Sequence, residues 1–242
     1  MDLKINQALN YIIPERLTGL GFIASPQTGN TPCTIAGLVS FGIAPRRFLL
    51  QAGIRFMAFE GTDKTYQALI DEVIDGPLFN RFRLSESGNL ENIDNGLIDK
   101  LSTMIRPYIS LEGKTINAEM RRERVWLYPW EAVRETVINA IAHRDWTRSL
   151  DVEVTVYSDH IEITSPGAMQ NSMTIEKMIA GQRSPRNPLM VSLLRDYGYV
   201  DARGMRVRTK VIPLMKSENN QEPIFEATDD YVKVTLRRKS DS

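Results

Sequence analysis

The sequence predicts an α+β protein, and a long helix, a hairpin and a closing strand carry that expectation. Tyr128 to Trp146, Y-P-W-E-A-V-R-E-T-V-I-N-A-I-A-H-R-D-W, opens with a proline suited to a first helical turn and repeats apolar residues at helical spacing without another Pro or Gly. After it, Val152, Val154 and Val156 alternate with Glu153, Thr155 and Tyr157. Ser158-Asp159-His160 then turns the chain into Ile161 and Ile163 alternating with Glu162 and Thr164, a hairpin with one buried face. Val232, Val234 and Leu236 alternate as a final strand over Tyr231 to Leu236. Helices mixed with antiparallel hairpins argue for two α+β units, residues 1–120 and 121–242, joined near Met120.

Taken in order, Met1 to about Ile23 reads as one or two short helices, because Leu9, Ile12, Ile13 and Leu17 recur at helical spacing around a break at Pro14. Ser25 to Pro32 is a turn-rich connector, and Thr31 to Phe41 is expected to be a helix opened by Pro32. Gly53 to Phe59 reads as a strand with Ile54, Phe56 and Ala58 on one face. Lys64 to Val73 fits a helix or an irregular strand, and Asp75-Gly76-Pro77 is a break. Leu78 to Phe82 and Leu97 to Ile105 look helical, and Tyr108 to Met120 is expected to be a strand pair turning at Glu112-Gly113-Lys114. Gly113-Lys114-Thr115 copies the end of a phosphate-binding P-loop, but Tyr108 stands where its first glycine is required and no helix start follows. A P-loop motor is therefore excluded. Met173 to Ile179 is expected as a short helix, Gly181 to Asn187 as a loop, and Asn187-Pro188 as the N-cap and first turn of a helix through Leu194. Ser217 to Pro223 is a polar loop.

The composition of the 242 residues, 42% hydrophobic and 25% charged, is that of an ordinary globular chain. Thirty basic and thirty acidic residues cancel, so nucleic-acid contact must come from local patches. The single Cys33 excludes an internal disulfide and is expected to be a small core residue, and with only His143 and His160 beside it there is no zinc-type cluster. The longest apolar stretch, Ile35 to Ala44, is interrupted by Gly and Ser, and no signal pattern opens the chain, so a cytoplasmic protein without membrane contact is expected.

The helix over 128–146 is where spacing suggests chemistry. Trp130, Val133, Val137, Ala140 and Ile141 make an apolar face, while Glu131, Glu135, Asn139 and His143 follow one another at i, i+4 on the opposite side. A solvated face is usually rich in Lys and Glu. Asn and His beside Ile138 and Ala142 instead suggest a stripe lining a cleft. Two readings stay open. The ladder is either a half-buried face satisfying neighbouring backbone, or a site where Glu135 orients or deprotonates a water and Asn139 lends an amide oxygen to a hard cation such as magnesium. Arg183 and Arg186 lie in a loop from which either can reach a phosphate.

The segments E-T-V-I-N-A-I-A-H-R-D-W, H-I-E-I-T-S-P-G, R-N-P-L-M and L-R-D-Y-G-Y-V-D-A-R-G-M, in that order, resemble the RecG-related ATP-binding C-terminal domain over about Arg124 to Arg238. That family is a divergent relative of the GHKL ATPases, which include gyrase, MutL and histidine kinases. The resemblance implies a GHKL-like α/β sandwich that takes ATP and magnesium. Glu135 would be the water-activating base, Asn139 the magnesium ligand, and His143 a further group facing the triphosphate. Ser165 and Gly167 would border adenine, although Ser165 stands where the family places an Asp, and Ser165-Pro166-Gly167 equally suits any strand-ending turn. Gly204 would lie beside the phosphates, and Arg206 occupies the place of a second family glycine, where it either obstructs phosphate or binds it as a cation. Ala36 to Lys64 resembles the end of an Alba-like Schlafen domain, a class associated with nucleic-acid binding, which implies only the tail of such a domain within 1–120.

The leading expectation is thus an ATP-binding, weakly hydrolytic protein linked to transcription regulation or another DNA process. The alternative is a nucleotide-free GHKL scaffold serving as a DNA-binding or homodimerisation module through the basic run Arg203, Arg206, Arg208 and Lys210. Arg46 and Arg47 are read as solvated.

Overall fold

The fold is that of a computed structural model, which describes residues 15–24, 32–116, 120, 122–200 and 207–239. Its centre is a six-stranded sheet ordered β2-β1-β7-β8-β10-β9, with β1 Ile54–Ala58, β2 Ile70–Ile74, β7 Val152–Val156, β8 His160–Pro166, β9 Ile224–Ala227 and β10 Tyr231–Arg237. β1 runs parallel to β7, and every other pairing is antiparallel. The parallel join follows from pattern. Ile54, Phe56 and Ala58 stand beside Val152, Val154 and Val156 in register, and all of them are buried. The alternation that marks each strand puts these side chains on one face, where burial stabilises each larger one by about 1.5–3 kcal/mol.

Helices cover that face. α1 is Ile35–Phe41, α2 Leu97–Ile109, α3 Trp130–His143, α4 Ile175–Ile179, α5 Pro188–Asp196 and α6 Ile212–Asn219, the last preceded by a π-helical turn, Val207–Val211. α3 packs against β7, β8 and β10, α2 against β1. Two-stranded hairpins stand apart from the sheet: β3 Arg81–Leu84 with β4 Leu90–Asp94, and β5 Ser110–Ile116 with β6 Arg122–Trp126. The junction expected near Met120 falls between β5 and β6, which pair with each other, and buried residues on either side of it share one core cluster. The α+β class is as expected, and no helix among the described residues is long and apolar enough to cross a membrane.

Several local expectations are corrected. Residues 15–19 are helical, as expected, and the helix expected to open at Pro32 starts at Ile35, because the Thr34 side chain accepts from the Gly37 N–H (3.2 Å) as its N-cap. Cys33 is exposed, not in the core, and its backbone bridges Ile23. Leu78 to Phe82 is not helical. Leu78 and Phe79 are buried in a bend, β3 begins at Arg81, and the Asn80 side chain accepts from the Gly96 N–H (2.7 Å) and donates to Asp99 (2.6 Å) at the start of α2. Gly113 lies inside β5 rather than in a turn. A Cβ there would meet the Glu123 carbonyl oxygen at 2.7 Å, so the residue permits close cross-strand approach. Asn187 holds the N-cap position of α5 without a side-chain cap bond, and its Nδ2 instead donates to the Ala142 and Arg144 carbonyls (3.0 and 2.9 Å), closing the end of α3. Of Lys64 to Val73 only the end, from Ile70, belongs to β2, the residues before it being irregular, and β9 is a strand the sequence did not suggest.

Candidate functional site

Between α3 and the β8-β10-β9 end of the sheet lies a cavity of ≈ 300 Å³, at the small end of the usual range for small-molecule sites. Ile163 and Ser165 of β8, Val232 and Val234 of β10 and Phe225 of β9 form its floor. Residues between Gly167 and Arg186, with Val191 and Arg195 of α5, form a further wall, and Val207 and Val211 close one side. Alternation explains the floor, since residues two apart on a strand face the same way.

The polar ladder of α3 enters from the other wall. Glu135 is 2% exposed and lines the cavity with Asn139 and His143. Asn139 donates through Nδ2 to Glu135 Oε1 (3.4 Å), which leaves its amide oxygen as the unspent acceptor. Glu131, the first rung, is instead exposed and pairs with Lys210 (3.0 Å). A carboxylate and an amide oxygen one turn apart at a cavity wall suit a hydrated hard cation, with water or phosphate completing the coordination.

Below them, Ser165 is buried and its hydroxyl donates to the Ala140 carbonyl (2.8 Å). With that proton committed, Ser165 Oγ can only accept. Gly167 follows with φ +104°, and its N–H donates to the Asp230 backbone carbonyl (2.7 Å). Asp145, just past α3, lies against Gly167 and binds the loop wall. Its Oδ2 accepts from Arg186 (3.0 Å), while the other arm of Arg186 donates to the Ala168 carbonyl (2.6 Å). Burial alone would raise the Asp145 pKa. Hydrogen bonds from Thr147 and the charges of Arg186 and Arg148 outweigh it and hold the carboxyl below its ordinary range.

His143 stands near Arg186. Its side chain is exposed at the cavity mouth, yet crowding by the surrounding walls, and then the Arg186 charge, lower its pKa, an effect that solvent screens to a small one. A histidine with a depressed folded pKa takes up its proton first in the unfolded chain. Its contribution to stability is therefore complete above the unfolded value of about 6.5 and erodes as pH falls through that value toward the folded one. Melting temperatures recorded from pH 7.5 down to pH 5.5 are expected to fall less steeply for His143→Gln than for the unaltered protein. Identical slopes would contradict this.

Residues 150–236 match the family model described as "Putative ATP-dependent DNA helicase recG C-terminal". In this C-terminal segment the chain is similar to a RecG-related, ATPase-like domain. A solved structure, the DIP2311 protein from Corynebacterium diphtheriae, resembles the chain with a TM-score of 0.62 at 20% identity over 93% of it, a likeness of fold. The chain spans 41% of that protein's length. No protein of curated function matches.

The matched segment supplies the cavity floor and the loop wall, while α3 with Glu135 and Asn139 precedes it. The structure brings together at one cavity Glu135, Asn139, His143, Ser165, Gly167, Arg183 and Arg186. Gly204 and Arg206 lie outside the described residues, as does Arg203. The rest of the basic run is engaged, Arg208 with the Ala180 carbonyl (3.1 Å) and Lys210 with Glu131. Arg46, expected to be solvated, pairs with Asp151 (2.6 Å). Sequence reasoning missed the apolar wall of the cavity, Met169, Met173 and Met178, and the floor residue Phe225. A run of methionines within ten residues was a readable signal, since unbranched thioethers adapt to a ligand's outline.

Proposed function

We propose that the cavity binds ATP with magnesium and that the protein is at most a weak ATPase. The observation that carries this is the acid and amide pair of α3 facing a cavity whose floor is apolar apart from Ser165, with Asn139 Oδ1 unspent among the described residues. In this reading Asn139 Oδ1 ligates magnesium, Glu135 orients the attacking water, and His143 and Arg183 face the phosphates. Ser165 Oγ, able only to accept, takes a hydrogen bond from the adenine amino group and disfavours a 6-oxo purine, which presents an acceptor there. Gly167 borders the base. Arg186 keeps its guanidinium on Asp145 and Ala168, so its part is to hold the loop wall against α3. Gly204 and Arg206 complete the phosphate end in the same reading. A cytoplasmic location and a link to a DNA process belong to this proposal as well.

Asn139→Ala is expected to weaken magnesium-ATP binding by about tenfold, the loss of one charge-assisted contact, while leaving magnesium-free ATP nearly unaffected. Titration calorimetry with and without EDTA separates these outcomes. Equal weakening in both conditions would remove Asn139 as the metal ligand. No nucleotide binding at all would favour the alternative, a nucleotide-free scaffold used for DNA binding or homodimerisation.

A further inference from the structure

Away from the cavity, the β5–β6 hairpin carries a row of basic and aromatic side chains that the nucleotide reading does not use. Every residue of β6 is exposed. On that strand Arg122, Arg124 and Trp126 alternate with Glu123 and Val125, which places the two guanidiniums and the indole on one face. Trp126 then stacks on Trp130, the first residue of α3, with ring centroids 5.4 Å apart at 27°, and Arg106 of α2 lies over Trp130 at 5.8 Å. Trp126 keeps 36% of its surface exposed. Neither Arg122 nor Arg124 has a hydrogen bond or ion pair among the described residues.

No acid among the described residues forms an ion pair with Arg122 or Arg124. Glu112 sits across from Arg124 in the hairpin without an ion pair, and Glu131 beside Trp130 is taken by Lys210. Exposed Lys239, whose N–H donates to the Leu127 carbonyl (3.4 Å), adds a cation where the chain leaves β6. A hairpin that only needed solubility would not leave an indole half-covered in line with uncompensated arginines.

The geometry points to this face as a binding site for single-stranded nucleic acid. Arg122 and Arg124, about 6.7 Å apart along the strand, follow a phosphate backbone, and the outer face of Trp126 receives an unpaired base, with Trp130 and Arg106 stacked behind it as support. A duplex offers phosphates but no free base face, so single strands are preferred. The site is independent of Glu135, Asn139 and the cavity.

The test is fluorescence anisotropy of a labelled oligodeoxythymidine, without ATP, against the same-length duplex and heparin as competitors. The single strand is expected to bind tighter than the duplex. Trp126→Ala should weaken it roughly 5- to 150-fold, Trp126→Phe should restore most of the loss, and Asn139→Ala should change nothing. Arg122→Gln and Arg124→Gln, both surface changes, should each lower the salt slope by about 0.7. Absence of binding, or binding of duplex and heparin as good as of the single strand and indifferent to Trp126, would overturn the assignment. Comparison of thermal melts identifies any variant that has lost its fold, and the arginine variants then decide.

Discussion

Replacing Arg144 with methionine is expected to destabilise the protein by about 3–5 kcal/mol. Arg144 is 1% exposed, and its guanidinium donates to the carbonyls of Gln51 (2.5 Å), Leu150 (2.7 Å), Arg148 (3.1 Å) and Asp145 (3.5 Å), while lying over the Trp146 ring at 4.3 Å. Nε alone of its nitrogens has no partner. Burial pushes its pKa down to about 10, opposed by Asp151 and Asp145, and the group stays charged at neutral pH. Methionine fills similar volume but leaves buried carbonyls without donors, each worth about 1–3 kcal/mol. Lysine should rescue little, because a point charge cannot replace a planar fork. Urea unfolding gives the number. A loss below about 1 kcal/mol would mean that these carbonyls find other donors.

The consequence reaches the site. Arg144 caps α3 immediately after His143 and ties it both to the loop before β1 and to the loop before β7. It therefore sets where the ladder ends relative to the sheet.

Gly167→Ala is expected to cost about 3 kcal/mol or more, and to distort the cavity floor. At φ +104° an L-residue is strained by about 1–3 kcal/mol. The added Cβ would also lie 2.4 Å from Asp145 Cβ, a carbon fixed close to the backbone that cannot swing aside. Relief requires β8 and the Asp145 segment to separate, which strains the Asp145–Arg186 pair (3.0 Å) and the backbone bond from Asp145 N–H to Pro166 (2.7 Å). Denaturant unfolding together with nucleotide affinity checks both parts. A variant within 0.5 kcal/mol of the unaltered protein, with full affinity, would contradict the argument. Any role of Gly167 beside adenine thus rests on a structural need that already demands glycine.

How much of this was readable beforehand depends on whether the signal was local. The alternation in Val152 to Val156 and Ile161 to Ile163, and the uninterrupted run from Trp130 to His143, are local patterns, and they appear as β7, β8 and α3. The ladder on α3 also located the cavity wall, because i, i+4 spacing is a property of the helix alone. What escaped depends on distant partners. Leu78 and Phe79 look helical by type, but the Leu78 N–H bonds to Val39 (2.9 Å), and that contact decides their conformation. Asn187 has the composition of a cap, yet its side chain serves the end of another helix. The pairing of β1 with β7 joins residues about a hundred apart in the chain, and no pattern within either strand names its neighbour. Arg144 looks like any helix-end arginine until the carbonyls converging on it are in view.

The most direct measurement is titration calorimetry of the unaltered protein with ATP in magnesium, run beside GTP. The account predicts measurable binding heat for ATP, a rise in melting temperature that grows with ATP concentration, and weaker binding of GTP because Ser165 cannot donate. Neither heat nor thermal stabilisation at millimolar ATP would contradict the central claim that the cavity beneath Glu135 and Asn139 is a nucleotide site.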